Sequence, residues 1–237
     1  MIILSIDSST PVAGIAVSNG KNLLGEVMIN TQNTHSEKLM PMVAQLLRDL
    51  QMSVQQVEAV AVTCGPGSFT GLRIGMATAK GIVQGGNKKL IAIPTLDTLA
   101  QNLNHYPGII CPIMNAQKKQ VYTAIYKSGE SGMERLSDYQ AIEADKLAEQ
   151  LLELGEPVWF TGDGVDAFAE VFRTKLGKNC RLADGNTVLP RAGALAMLAA
   201  ERVEQGQFDD LYQAELIYIR KSEAEVQWEA RNQKETV

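Results

Sequence analysis

Cys64-Gly65-Pro66-Gly67-Ser68-Phe69-Thr70-Gly71-Leu72-Arg73-Ile74-Gly75 has the densest chemical potential in the chain, lying between an apolar run and a helical pattern. Gly65, Pro66 and Gly67 force a tight turn, and the N–H groups that open the following helix could hold an anion. It is not a phosphate-binding Walker loop, because Leu72 and Arg73 stand where Lys and Ser or Thr would follow the last glycine. The alternative is a rigid strand-to-helix elbow. A second candidate is Asp7-Ser8-Ser9-Thr10, where Asp7 could serve as magnesium ligand or base, or simply cap its own turn. Asp7, Ser8, Ser9, Gly65, Gly67 and Ser68 form the candidate set of nucleotide or anion contacts. Phosphates approach hairpin turns most readily where glycine leaves the backbone bare. Neither Asp7-Ser8-Ser9-Thr10 nor Asn115-Ala116-Gln117-Lys118-Lys119-Gln120 contains glycine, so ATP hydrolysis by this chain alone is not expected.

His35 and His105 are the only histidines, and Cys64, Cys111 and Cys180 are scattered, so no metal site or disulfide framework is expected. A Cys64–His35 nucleophile pair can be drawn, against an inert thiol behind a strand and a His35 that caps a helix entry at Thr34-His35-Ser36.

These loops must be held by regular elements. Apolar runs over 2–7, 12–18 and 23–29 predict an antiparallel meander, followed by a helix over 36–50, a strand over 57–63, a helix over 70–84 and a strand over 90–93. The order βββαβαβ then returns. A hairpin of Ile109–Met114 and Val121–Tyr126, a weaker strand near Met133–Tyr139, a helix near Glu143–Leu154 and a strand at Val158–Thr161 precede helices near Val165–Lys175 and Arg191–Glu204. Duplicated halves facing a cleft imply an α/β, two-lobed fold of the actin, hexokinase and heat-shock-chaperone kind (ASKHA). The lobes are expected at 1–103 and 104–237, divided where Asn, His, Pro and Gly cluster, with the last segment free to return to the first lobe and a polar tail from Ala224 to Val237.

Two helix faces suggest a partner. Gly71, Gly75 and Ala79 recur every four residues, and two glycines inside a helix cost about 1 kcal/mol each relative to alanine, which asks for a packing reason. The helix over 36–50 carries an apolar arc wider than one stripe. The candidate interface is therefore Leu39, Met40, Val43, Leu46, Leu47, Gly71, Leu72, Gly75, Met76 and Ala79, with packing inside the same lobe as the alternative.

Of 237 residues, 45% are hydrophobic and 21% charged, which supplies a core and excludes disorder, collagen and a disulfide scaffold. A net charge of −5 argues against a nucleic-acid binder acting by bulk charge. No apolar run reaches the roughly 18 residues of a membrane span, and the start lacks a signal-peptide pattern, so a cytoplasmic protein is expected.

Ile3-Leu4-Ser5-Ile6-Asp7-Ser8-Ser9-Thr10, Thr34-His35-Ser36-Glu37-Lys38-Leu39, the Gly65–Gly75 stretch and Tyr218-Ile219-Arg220-Lys221 together resemble the TsaB (YeaZ) family across essentially the whole chain. That resemblance implies a non-catalytic subunit of tRNA N6-threonylcarbamoyladenosine (t6A) synthesis, paired with the catalytic paralogue TsaD through the two first-lobe helices. It implies recruitment of the ATPase TsaE with ATP or ADP near that junction, homodimers when TsaD is absent, tRNA reached only through the complex, and no intrinsic cofactor. TsaD-like chains carry a His-x-x-x-His metal motif where this chain has Thr95-Leu96-Asp97-Thr98-Leu99. Relatives commonly have Asp-Ala-Arg at the second hairpin, where this chain has Asn115-Ala116-Gln117. The alternatives are a peptidase acting on TsaD and a self-standing nucleotide-dependent kinase or ATPase.

Overall fold

A computed structural model describes residues 1–30, 35–116, 119–129 and 132–220, without the side chain of His35. The expected positions Thr34, Gln117, Lys118 and Lys221 and the tail from Ala224 lie outside these residues, as does any His35 side-chain role.

β1 (Ile2–Asp7), β2 (Val12–Asn19) and β3 (Asn22–Asn30) form the meander, followed by α1 (His35–Asp49), β4 (Ala59–Thr63), α2 (Phe69–Gly86) and β5 (Lys89–Ile93). After α3 (Thr95–Gln101) come β6 (Ile109–Asn115), β7 (Gln120–Thr123), β8 (Tyr126–Gly129), β9 (Gly132–Arg135), β10 (Gln140–Glu143), α4 (Ala144–Leu154), β11 (Val158–Thr161), α5 (Val165–Leu176), β12 (Cys180–Leu182) and α6 (Ala192–Glu204).

The first sheet runs β3-β2-β1-β4-β5 and the second β10-β7-β6-β11-β12, the same order with the same antiparallel and parallel partners. Side chains alternate across each sheet because the strand period is two. Leu4, Ile6, Val60 and Val62 therefore face α1 and α2, while Ile3, Ala59, Ala61, Ile91 and Ile93 face the opposite side. In the second sheet Ile109, Cys111, Val158 and Phe160 face α4 and α5, and Ile110 and Met114 face away.

Those opposite faces also need covers, and the chain supplies them by exchange. Leu96, Leu99 and Ala100 of α3 pack on the second sheet with Ile110 and Tyr126, whereas Leu195, Ala199 and Ala200 of α6 pack on the first. The division at 103/104 is thus corrected: α3 belongs with the second sheet, and α6 with the first. The segment after α6 also runs along the first lobe, with Asp209 donating its N–H to Leu90 O at 2.9 Å and Ile217 donating to Cys64 O at 2.7 Å.

The third meander strand of the second lobe is β10, which pairs with β7, and not the run at 133–139. That run divides. β9 pairs with β8, which turns off the β7 path to pair with β6, and Tyr139 is left for a contact described below.

Candidate functional site

Asp7 is the last residue of β1 and is fully buried. Its Oδ1 accepts from the N–H of Ser9 at 2.9 Å, the Ser9 hydroxyl at 2.7 Å and the Thr63 hydroxyl at 3.2 Å. The carboxylate thus organises its own turn, as Asx turns do. Ser8 points away from that turn and donates its hydroxyl to the carbonyl of Gly71 in the first turn of α2, at 2.8 Å.

The glycine-rich loop closes on the same turn. Ser68 donates its N–H to Ser9 O at 2.7 Å, and a Cβ on Gly67 would overlap that carbonyl. Gly65 has φ of +109°, and a Cβ there would come within 2.6 Å of Ile217 O. Ser68 caps α2 by accepting from Gly71 N–H at 3.2 Å. All six expected anion contacts are therefore brought together, and polar groups they present are engaged with one another and with Thr63, Gly71 and Thr95.

The small face of α2 points inward. A Cβ on Gly75 would overlap the Ser8 hydroxyl and approach Val62, and Ala79 lies in the first-lobe core. Of the ten residues expected at a partner interface, Leu39, Val43, Leu46, Leu47, Gly71, Leu72, Gly75, Met76 and Ala79 are buried within this chain. Only Met40 is exposed, at 49%. The physical reason is that the wide apolar arc packs on the sheet and on the neighbouring helix at once, so nothing of it is left for a partner.

The outward faces carry other residues. On α1 these include Met40, Pro41 and Ala44; on α2, Arg73, Ala77, Gly81 and Gly85. Ala77, Gly81 and Gly85 recur every four residues, and space is open beside both glycines. This outer stripe is legible in the sequence, but the inner stripe at 71, 75 and 79 has the same period, and periodicity alone does not say which face meets the sheet.

Two features of the second lobe had no spacing signal. Asp97, on α3, accepts hydrogen bonds from the phenols of Tyr126 at 2.6 Å and Tyr139 at 2.8 Å, with the Arg135 guanidinium 4.1 Å from the Tyr139 ring. Burial raises the Asp97 pKa above the ordinary carboxylate value, against the opposing effect of the two phenols and Arg135. Both tyrosines are held protonated by burial and by the adjacent carboxylate. Asp163, just after β11, accepts from Asn115 N–H at 3.0 Å, and burial raises its pKa too.

At the expected metal-motif positions, Thr95 and Leu99 are fully buried, and Leu99 packs in the core between α3 and the second sheet. Burial pushes the Cys64 thiol up to about 12, so it stays protonated at neutral pH and is a poor nucleophile. No helix among the described residues is long and apolar enough to cross a membrane.

Comparison with known proteins sets this geometry in context. The family model described as TsaD, tRNA N6-adenosine threonylcarbamoyltransferase, matches residues 22–228. The tRNA threonylcarbamoyladenosine biosynthesis protein TsaB of Bacillus subtilis is 32% identical, covering 96% of this chain and 98% of its own. The protein of the same name from Escherichia coli K12 is 28% identical, over 94% and 96%. Among solved structures, YeaZ from Pseudomonas aeruginosa superposes with a TM-score of 0.77 at 22% identity, covering 92% of this chain and 99% of its own. The ethanolamine utilization protein EutJ from Carboxydothermus hydrogenoformans shares the fold more distantly, with a TM-score of 0.51 at 12% identity over 83% and 90%. The α/β fold with duplicated halves is the one these structures share.

Proposed function

Because the chain belongs to the TsaB (YeaZ) family of tRNA threonylcarbamoyladenosine biosynthesis proteins, we propose that it serves t6A formation as a non-catalytic, cytoplasmic subunit. It binds and stabilises a TsaD-type protein and helps to recruit a TsaE-type ATPase, with ATP or ADP at that junction. Alone it pairs with a second copy, and it meets tRNA through the complex.

The observation that carries this reading is the division of labour within α1 and α2. Their apolar arcs are used by the chain's own core, while the outer stripe of Ala77, Gly81 and Gly85 beside Met40 leaves room for the backbone of another helix. The groups that could have done chemistry point the same way. Asp7 is engaged by its own turn, and the Cys64 thiol is held protonated.

Size-exclusion chromatography with a TsaD-type protein tests the reading. The parent chain is expected to co-elute with it, and a folded Gly81→Leu variant to elute alone. Co-elution of folded Gly81→Leu at the parent's affinity would remove the outer stripe from the interface.

A further inference from the structure

The segment from Asp209 to Arg220 follows α6 and belongs to no helix and no extended sheet strand, yet its path is fixed at every step. Asp209 pairs with Arg202 at 3.0 Å and accepts from Ala92 N–H at 2.7 Å. Lys80 on α2 donates to Ala214 O at 2.8 Å, and Leu211, Ala214, Leu216 and Ile217 pack against the first-lobe core. Ile217 N–H then binds Cys64 O, and the Ile217 carbonyl lies over Gly65, beside the loop that closes on the first hairpin turn.

Up to this point all of these contacts are with the first lobe. Tyr218 continues them, accepting from Arg73 Nε at 3.2 Å, with its ring 5.5 Å from that of Phe69. Two residues later the segment crosses over: Arg220 donates Nη1 to the carbonyl of Ala116, in the second hairpin turn, at 2.7 Å. The covalent crossings between lobes lie at 93–95 and 189–192, where β5 leads to α3 and the chain enters α6. Arg220 adds a non-covalent tie between the loops that terminate β4 and β6. A guanidinium bound to a carbonyl is charge-assisted, among the stronger single hydrogen bonds a chain can make.

We propose that residues 209–220 are a built-in strap that sets the angle between the lobes, with Arg220 as its latch on the second hairpin turn. The first-lobe contacts give the strap a rigid base, so the latch transmits the position of Ala116 to the glycine-rich loop. The lobe angle is then an intrinsic property of the chain and needs no ligand between the lobes to define it.

Spin-label distances in the full chain test this. Labels go on the exposed positions Asn22→Cys in the first lobe and Gln150→Cys in the second, with Cys180→Ser, since Cys64 and Cys111 are buried. Dilution with unlabelled chain restricts the signal to distances within one molecule. The parent is expected to give one narrow distribution, and Arg220→Ala to enlarge a longer-distance population about tenfold or more. Arg220→Lys, which can still donate to Ala116 O, is expected to stay close to the parent. If the alanine variant does not fold, Arg220→Met keeps the aliphatic stem and repeats the test. A folded Arg220→Ala or Arg220→Met chain whose distribution superimposes on the parent's would overturn the proposal.

Discussion

In the first lobe Gly67 lies against the carbonyl of Ser9, and in the second Gly162 and Gly164 lie against the carbonyl of Ile113. Both lobes thus use glycine in the loop after their central parallel strand to bring two backbones together at the end of the first hairpin strand. They differ in the burial of the turn itself. The first turn is buried among its neighbours: the Asp7 carboxylate holds Ser9 and Thr63 of β4, the Ser8 hydroxyl reaches Gly71 O, and Ser68 N–H reaches Ser9 O. The second closes on itself through Ala116 N–H to Gln120 O and is tied by Asp163 on the N–H of Asn115 and by Arg220 on the carbonyl of Ala116, but Asn115 is exposed. A duplicated framework has therefore buried one turn beneath its neighbouring loops and left the other partly exposed.

The largest expected effect breaks the first lobe alone. Gly75→Leu would drive a side chain into Ser8 and Val62, at a cost of about 3 kcal/mol or more. Denaturant titration should show it, with failure to fold as the extreme outcome; parental stability would mean that the inner face of α2 is not packed as described. Gly67→Ala and Gly162→Ala probe the shared device, and both should lose roughly 2–3 kcal/mol, since each Cβ would overlap a carbonyl and Gly162 also has φ of +103°. A clear loss in one and none in the other would show that the two loops are not equivalent.

The aspartates sharpen the contrast. Asp7→Ala removes the acceptor of three buried hydrogen bonds and should cost about 2–3 kcal/mol, whereas Asp163→Ala removes the acceptor of the Asn115 N–H at an exposed position and should cost about 1 kcal/mol. Equal losses in thermal unfolding would contradict the distinction between a buried turn and a partly exposed one.

A smaller effect concerns pH. The folded chain holds the Asp97 proton more tightly than the unfolded chain does, because burial raises its pKa. Stability from this site is thus greatest at acid pH and declines as pH rises from the ordinary carboxylate value toward the raised one. Relative to Asp97→Asn, which cannot titrate, the parent should compare more favourably at about pH 5 than at about pH 7.5. The opposite slope would mean that the two phenols outweigh burial.

The order of elements in the first lobe is legible because β1 to β5 are mostly apolar runs bounded by turn residues, and the duplication follows from that order; β8, β9, β10 and β12 are short, mix polar with apolar residues and give no such signal. Two further things were not legible, each for a physical reason. The exchange of α3 and α6 between lobes depends on which sheet face lacks a cover, and local sequence carries no record of that. In α2 the inner and outer small stripes share a four-residue period, so 71, 75 and 79 were expected to meet a partner while the structure turns 77, 81 and 85 outward. At the candidate site the first turn and glycine-rich loop were found from their residue types. Asp97, Tyr126 and Tyr139 were not, since they lie 29 and 42 residues apart with no motif to join them.

The central claim is that this chain contributes a surface and no reacting group, and the t6A yield of a reconstituted reaction tests it most directly. Tested as folded proteins beside the parent chain, Gly81→Leu is expected to abolish modification while leaving the chain at least as stable, and Cys64→Ala to retain substantial yield. Full yield from Gly81→Leu, or complete loss from a folded, TsaD-bound Cys64→Ala chain, would contradict the account.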